Sequence, residues 1–288
     1  MTLQQLRVFV AVAERQHVTR AAEALQLAQS VVSAAIGSLE VRHGVKLFQR
    51  VGRGIELTAA GATFLVEARA VLVRVAAAER LLADIADLSR GTLSVQASQT
   101  IASYWLPRHL VAFRTRHPGI SLQLAVGNTA QVAAAVHAGA AELGFVEGAV
   151  DDPALVGTVV ARDQLVIVVG PDHPWAGRNN LDPRELTDSE WVLREPGSGT
   201  RSVFEAAVAG FGATLRVAMA LPSNEAVRAA VEAGLGATAL SASVAAPSIE
   251  AGLLHRVALP LPERAFVVLR HVERPPSRAA AAFLALVC

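Results

Sequence analysis

The chain has 288 residues, enough for two or three domains that each bury a core of their own. Hydrophobic residues make up 52% of it, yet no apolar run reaches the ~18 residues of a membrane span. The first seven residues lack the basic-then-apolar pattern of a secretory leader, so a cytoplasmic protein is expected. The one cysteine, Cys288, excludes an intramolecular disulfide framework and a cysteine-rich metal site. The net charge of +1 conceals an asymmetry: residues 1–58 hold seven basic side chains against four acidic ones, so this head is positive and the remainder slightly negative. A modest positive excess is compatible with nucleic acid but is also ordinary surface charge.

The chain opens with a helical pattern, in which Leu3, Leu6, Phe9, Val10 and Ala13 form one apolar face. His17 precedes a second short helix carrying Ala21, Ala22 and Leu25 on one face, and reads as a surface or packing residue. A third helix follows after a break, with Val32, Ile36 and Leu39 at i, i+4 and i+7. Its opposite face holds Gln29, Ser30, Ser33, Ala34 and Gly37, none bearing a charge. Such a face can lie close in a major groove, where Gln and Ser hydrogen-bond base edges. Residues 45–50 and 55–58 then read as two strands around the turn Val51-Gly52-Arg53-Gly54, a wing whose tip offers Arg53 to a phosphate or a minor groove. The whole reads as a winged helix-turn-helix. Gln29, Ser30 and Ser33 are the expected base contacts, and Thr19, Arg20, Arg50 and Arg53 the expected backbone or minor-groove contacts.

The run Arg20-Ala21-Ala22, Leu25, Gln29-Ser30, Ser33, Ile36, Leu39-Glu40, Gly44-Val45-Lys46-Leu47-Phe48, Arg50, Leu57-Thr58 and Gly61 keeps the order and spacing of a known signature. It resembles that of the LysR-type transcriptional regulators. Two positions depart from the pattern. Ala28 stands where a Ser or Thr usually caps the recognition helix, and Ala34 where a long basic or amide residue is common.

Thr58 is a plausible N-cap for a long helix in which Phe64, Ala68, Val71, Val75, Ala78, Leu82 and Ile85 recur at alternating steps of four and three. That heptad seam points to pairing with a second copy, or else to burial against its own domain. Ser89-Arg90-Gly91 reads as the helix stop. Beyond it, predicted strands at 92–97, 120–126, 141–146, 165–169, 191–194, 216–220, 237–241 and 265–269 alternate with helices at 100–116, 129–138, 200–211, 225–233 and from 277. This alternation predicts parallel α/β sheets. A middle block inserted into another suggests two lobes joined by crossovers near Ala161-Arg162 and Glu263-Arg264. The pattern is similar to the effector-binding half of LysR-type regulators, which has the fold of bacterial solute-binding proteins. The expected domains are a DNA-binding head (1–58), a linker and dimerisation helix (59–90), lobe I (91–161 with 265–288) and lobe II (162–264).

Ligands in open α/β sheets collect where strands run into helix N-termini. Ser98, Thr100, Asn128, Thr129, Glu147, Ser198, Thr200 and Arg201 stand at such junctions. Each taken singly reads as a helix cap. Together, in the cleft that the resemblance implies, they suit a small anion such as a carboxylate or an inorganic oxyanion. Residues 193–201, Leu-Arg-Glu-Pro-Gly-Ser-Gly-Thr-Arg, are similar to a segment of regulators of carbon fixation and sulfur assimilation. Enzyme motifs are lacking: Gly197-Ser198-Gly199 has no outer glycines, and Gly234-Leu235-Gly236 follows a helix and precedes a strand, the reverse of a dinucleotide site. No metal or cofactor is expected. The reading is a ligand-responsive regulator of promoter DNA, homodimeric or homotetrameric. Its alternatives are a small-molecule sensor whose head merely dimerises, and a constitutive DNA-binding protein with an empty cleft.

Overall fold

The computed structural model describes all residues except 52–53, 87–90 and 179, and the side chains of 77 and 80–86 as well. The chain divides into two compact units, Met1–Leu82 and Ala83–Cys288.

In the first unit, α1 (Leu3–Arg15) starts at Thr2, whose hydroxyl accepts the Gln5 N–H in a reciprocal capping box. It packs against α2 (Val18–Leu25) and α3 (Gln29–His43). His17 caps α2 by accepting the Arg20 N–H at its Nδ1, a local role that its sequence context did not announce. Ala28 makes no side-chain bond to α3, as its methyl side chain dictates. Val8, Val12, Ala21, Ala22 and Val32 form one core, and Leu6, Phe9, Leu39, Leu47 and Ala68 a second beneath the wing. The Phe9 ring lies 4.8 Å from Phe64 and 5.4 Å from Phe48, joining helix, wing and linker.

Strands β1 (Phe48–Val51) and β2 (Gly54–Leu57) pair antiparallel, as the wing pattern predicts. Glu40, near the end of α3, anchors them. Its Oε1 accepts the N–H groups of Leu47 and Phe48 at 2.9 and 3.2 Å, and its Oε2 meets Lys46 Nζ at 2.7 Å. Glycine is required at position 61, where a Cβ would overlap the Leu47 carbonyl and Leu57. Thr58 caps α4 (Ala59–Ala86) through its hydroxyl and the Gly61 N–H at 3.0 Å. This helix is ~42 Å long at 1.5 Å per residue. Of its heptad seam, Ala68 is buried, Phe64 and Val75 are half-buried, and Val71 and Ala78 are exposed within this chain. Leu82 and Ile85, and the expected stop at Ser89-Arg90, lie outside the described side chains.

The second unit is a nine-stranded sheet with helices on its faces. Strands β3 (Gly91–Ser98), β4 (Ile120–Gly127) and β5 (Leu143–Glu147) are parallel, with α5 (Leu106–Arg116) and α6 (Thr129–Ala138) between them. A π-helical turn at Ile101–Trp105 leads into α5. Strand β6 (Leu155–Val169) crosses to the other half, which holds β7 (Glu190–Arg194), α7 (Gly199–Gly210), β8 (Arg216–Leu221), α8 (Asn224–Glu232), β9 (Ala237–Ser241), α9 (Ala242–Glu250) and β10 (His255–Arg256). Strand β11 (Glu263–His271) returns beside β6, and α10 (Arg278–Val287) completes the first half. The order is β4-β3-β5-β11-β6-β9-β7-β8, with β10 also on β6.

The expectation of a parallel sheet needs correction. The β7–β8 pair is parallel, but β11 is antiparallel to β5 and β6, and β6 is antiparallel to β9. Two strands that carry the chain out and back between halves must run in opposite senses when they lie side by side. Phe266 pairs with Ala161 and Arg264 with Asp163, where the sequence suggested two crossovers. Strand β6 also begins ten residues before the predicted 165–169, because its first part is held by the β11 ladder and shows no continuous apolar run. Each half has its own buried clusters: Leu93, Val95, Phe145 and Phe283 in one, Ile167, Trp191, Leu193 and Phe204 in the other.

Candidate functional site

In the first unit, Gln29, Ser30, Ser33 and Ala34 are all exposed on α3, while Val32 and Leu39 on the opposite face are fully buried. The helix thus turns a smooth, uncharged, hydrogen-bonding surface outward. Arg20 and Arg50 are exposed and Thr19 is half-buried. Arg53 lies outside the described residues. Gly44 ends the helix in the left-handed region at φ 65°, a conformation that L side chains adopt only with strain.

The predicted effector residues gather where the two halves of the second unit meet. Ser98 ends β3 and is 3% exposed. Thr100, 2% exposed, accepts a hydrogen bond from Asn224 Nδ2 at 3.1 Å, across 124 residues of chain. Gln99 Oε1 accepts the Asn224 N–H at 2.7 Å. Asn128 caps α6 and donates from Nδ2 to Glu195 Oε1 at 3.2 Å. Thr129 donates its hydroxyl to the Glu147 carbonyl at 3.0 Å. Gly199, the first residue of α7, lies so close to that carbonyl that a Cβ on it would overlap the oxygen. The Cβ of any residue in place of Gly148 (φ +80°) would meet Val203 and Ser202. The β5 end of one half therefore rests directly on the first turn of α7 in the other.

Three cations were expected or available here, and each has a partner. Arg201 donates from Nε to Glu205 at 2.8 Å and from Nη1 to the Arg194 carbonyl at 3.1 Å. Arg194, 5% exposed, is bidentate to Glu195 and donates to Asn224 Oδ1 at 2.7 Å. Arg264 on β11 is the deepest, its side chain 1% exposed. It donates from Nε to Asp163 Oδ2 at 2.7 Å and from Nη1 to Thr200 Oγ1 at 2.9 Å. Its Nη2 stands 3.8 Å from Glu147 Oε1. Asp163 also accepts from Ser241 at 2.7 Å. Three buried atoms here make no hydrogen bond: Ser98 Oγ, Glu147 Oε1 and Arg264 Nη2, the last in ion-pair contact with Asp163 and Glu147. A cavity of about 180 Å³ at the junction is lined by Gln99, Gly127, Asn128, Gln131, Arg194 and Glu195 among others, and by neither Ser98 nor Glu147.

Sequence reasoning named the strand ends at Ser98, Asn128, Glu147 and Ser198, but it passed over Ser241, which ends β9 and caps α9, and over Asp163 and Arg264. The last two lie within strands, 101 residues apart, and nothing local marks them. Among the described residues no group of three or more His, Cys, Asp or Glu side chains could hold a metal ion. Among the described residues no single helix is long and apolar enough to cross a membrane.

A winged helix-turn-helix head and an α/β unit with a polar cleft define a class, that of DNA-binding regulators with a ligand-binding half. Residues 3–62 match the profile of the bacterial regulatory helix-turn-helix protein, lysR family, and residues 86–287 that of the LysR substrate binding domain. The chain belongs to the LysR family of transcriptional regulators. It is 34% identical over 286 residues to the uncharacterized regulator YeiE of Escherichia coli K12, covering 99% of this chain and 96% of that one. It is 34% identical over 278 residues to the RuBisCO operon transcriptional regulator of Allochromatium vinosum, covering 96% and 87%. Full-length CbnR in complex with its target DNA matches at a TM-score of 0.73 and 26% identity, over 100% of this chain and 99% of that one. These proteins are regulators, not enzymes.

Proposed function

We propose that this regulator reads a dyad-symmetric promoter site as a homodimer in the cytoplasm, and that a small anionic or carboxylate effector held between the two halves of its second unit alters that reading. The outward face of α3 carries the DNA part of the reading. Gln29, Ser30 and Ser33 are all exposed there on one uncharged surface, suited to base edges in a major groove. Arg20, Arg50 and Arg53 supply phosphate or minor-groove contacts, with Thr19 beside them.

A head of this kind reads one half-site, so two are needed for a dyad. Exposed apolar residues support pairing: Val71 and Ala78 on the α4 seam, and an apolar groove of about 310 Å³ beside Leu39, Val45 and Phe64. The edge strands β4 and β8 expose Leu124, Val126, Val217 and Met219, which suits a further contact between second units and a tetramer.

The effector reading rests on the convergence of Ser98, Thr100, Asn128, Thr129, Glu147, Ser198 and Thr200 on one junction. Residues 91–161 with 265–288 and residues 162–264 are taken as the two lobes, with 59–90 as the linker to the head. The test is a selection of bound fragments from genomic DNA by the purified protein, repeated with small oxyanions and carboxylates. A dyad site whose footprint changes with one of them supports the proposal. Recovery of no preferred sequence by folded protein sinks the DNA part, and footprints unaltered by a ligand proven to bind sink the effector part.

A further inference from the structure

The cavity of about 180 Å³ at the junction has one cation in its lining, Arg194, and one anion, Glu195, and each neutralises the other. Glu195 presents both carboxylate oxygens to one edge of the Arg194 guanidinium, with Nε 2.8 Å from Oε2 and Nη2 3.0 Å from Oε1. A third donor, Asn128 Nδ2 from the other half of the unit, reaches the same Oε1 at 3.2 Å. The two members of this pair are held very differently. Arg194 is fixed: its side chain is 5% exposed, and Nη1 donates to Asn224 Oδ1 at 2.7 Å. The Glu195 side chain is 25% exposed, and among the described residues its carboxylate bonds only to Arg194 and Asn128.

That carboxylate occupies the place a ligand carboxylate would take, because a buried guanidinium fork on a cavity wall is a two-point site for one. Turning Glu195 outward moves a partly exposed carboxylate into water, whereas an empty fork would leave Arg194 as an uncompensated buried cation. Glu195 is the next residue in the chain, so it competes as a tethered ligand at an effective concentration on the order of mM or above. An acid with nothing but its carboxylate loses that competition at low concentration. One with a second polar group gains a further bond from the cavity. Gln131 supplies the donor: its Oε1 accepts the Asn128 N–H at 2.9 Å, and among the described residues its exposed amide nitrogen makes no bond. Gln99 is already used at both ends, by Asn224 and by Glu225.

Resting on the cleft reading above, we propose that Glu195 is an internal stand-in for the effector, and that the effector is a small carboxylic acid with a second polar group. Its carboxylate takes the Arg194 fork, Glu195 turns out into solvent, and the Asn128 amide passes from Glu195 to the ligand. The bond that joins the two halves through Glu195 is thereby exchanged for one that runs through the effector.

The test removes the stand-in and supplies free carboxylate to the full-length protein, read by thermal unfolding and titration calorimetry. Glu195→Ala leaves the Arg194 fork unpaired and is expected to lower the unfolding midpoint. Formate or acetate is expected to restore it, binding at least about tenfold tighter than to the wild type, where Glu195 still competes. Chloride at equal ionic strength is expected not to restore it, nor is acetamide, which has the shape of acetate without the charge. Glu195→Gln keeps the volume and one acceptor and is expected to fall between the two, and it carries the comparison if Glu195→Ala does not fold. Adding Arg194→Gln is expected to abolish the carboxylate response. Absence of a carboxylate-specific gain in both Glu195 variants overturns the proposal, as does a gain that survives Arg194→Gln. Acetate binding as tight in the wild type as in both variants also overturns it. If Asn128→Ala weakens that binding, the cleft reading stands; if it does not, binding lies outside the cleft and the parent reading falls too. Greater restoration by phosphate than by either carboxylate overturns the ligand class.

Discussion

Arg264 Nη2 lies 2.6 Å from Asp163 Oδ2, joining the two strands that carry the chain between the halves of the second unit. The pair is almost fully buried, and its residues face each other in the antiparallel register. Because Arg264 also holds Thr200 of α7 and approaches Glu147 of β5, one guanidinium ties both sides of the cleft to the crossover. Arg264→Ala leaves Asp163 as an uncompensated buried charge. Its expected cost is about 3–5 kcal/mol, read as a lower urea midpoint for the second unit. Adding Asp163→Asn should recover part of that loss, and a double variant no better than the single one would show that the pair is not what holds the strands.

Glu40 makes the head sensitive to acid. Burial pushes its carboxyl upward, but the bonds from Lys46 and from the N–H groups of Leu47 and Phe48 outweigh that and hold it below its ordinary value of 4.5. A group lowered in the folded state adds stability above its unfolded value and loses it as pH falls through the folded one. Unfolding of the head followed below pH 5 should therefore show a steeper loss in the wild type than in Glu40→Gln. At neutral pH that variant should be less stable by about 1–2 kcal/mol, the scale of a charge-assisted hydrogen bond.

Base and phosphate contacts predict different signatures. Gln29→Ala or Ser33→Ala should weaken binding to the selected site by about 1–3 kcal/mol and relax the preference at one position of each half-site. Arg50→Ala should weaken binding to all sequences alike and lower the slope of log K against log salt by about one. A uniform loss from Gln29→Ala would remove it from the base-reading set.

The exposed seam of α4 predicts its own failure on charging. Val71→Glu places a carboxylate among the apolar positions of the seam proposed to pair, and the dimer dissociation constant should rise by at least about a hundredfold. Sedimentation across a dilution series measures it, and an unchanged constant would move the interface elsewhere.

The head was the most legible part of this protein, because its signals are local. Val32, Ile36 and Leu39 are one helical stripe whichever way the chain folds, so the face with Gln29, Ser30 and Ser33 must point away from it. The same holds for Thr58 at the start of α4, for Asn128 at α6 and for Ser277 at α10, since a cap bonds to a residue three along. Strand β6 was half hidden, as its first ten residues mix Gly157, Thr158, Arg162 and Asp163 and take their extended form from the β11 ladder. Helix α9 was missed because Pro247 within it reads as a break.

By itself, then, the sequence determined the elements whose causes lie within one helical turn or one strand: the reading head, the long helix, and the strand ends where a ligand could sit. Only the tertiary structure decided the antiparallel crossover, the partners of the buried Arg264, and the burial of Ser98 Oγ and Glu147 Oε1 without a hydrogen bond. Those depend on contacts between residues far apart in the chain, such as Thr200 with Arg264, 64 residues away, and Asp163 with Arg264, 101 residues away. A buried charge takes its meaning from what the fold sets beside it, and no window of neighbouring residues contains that information.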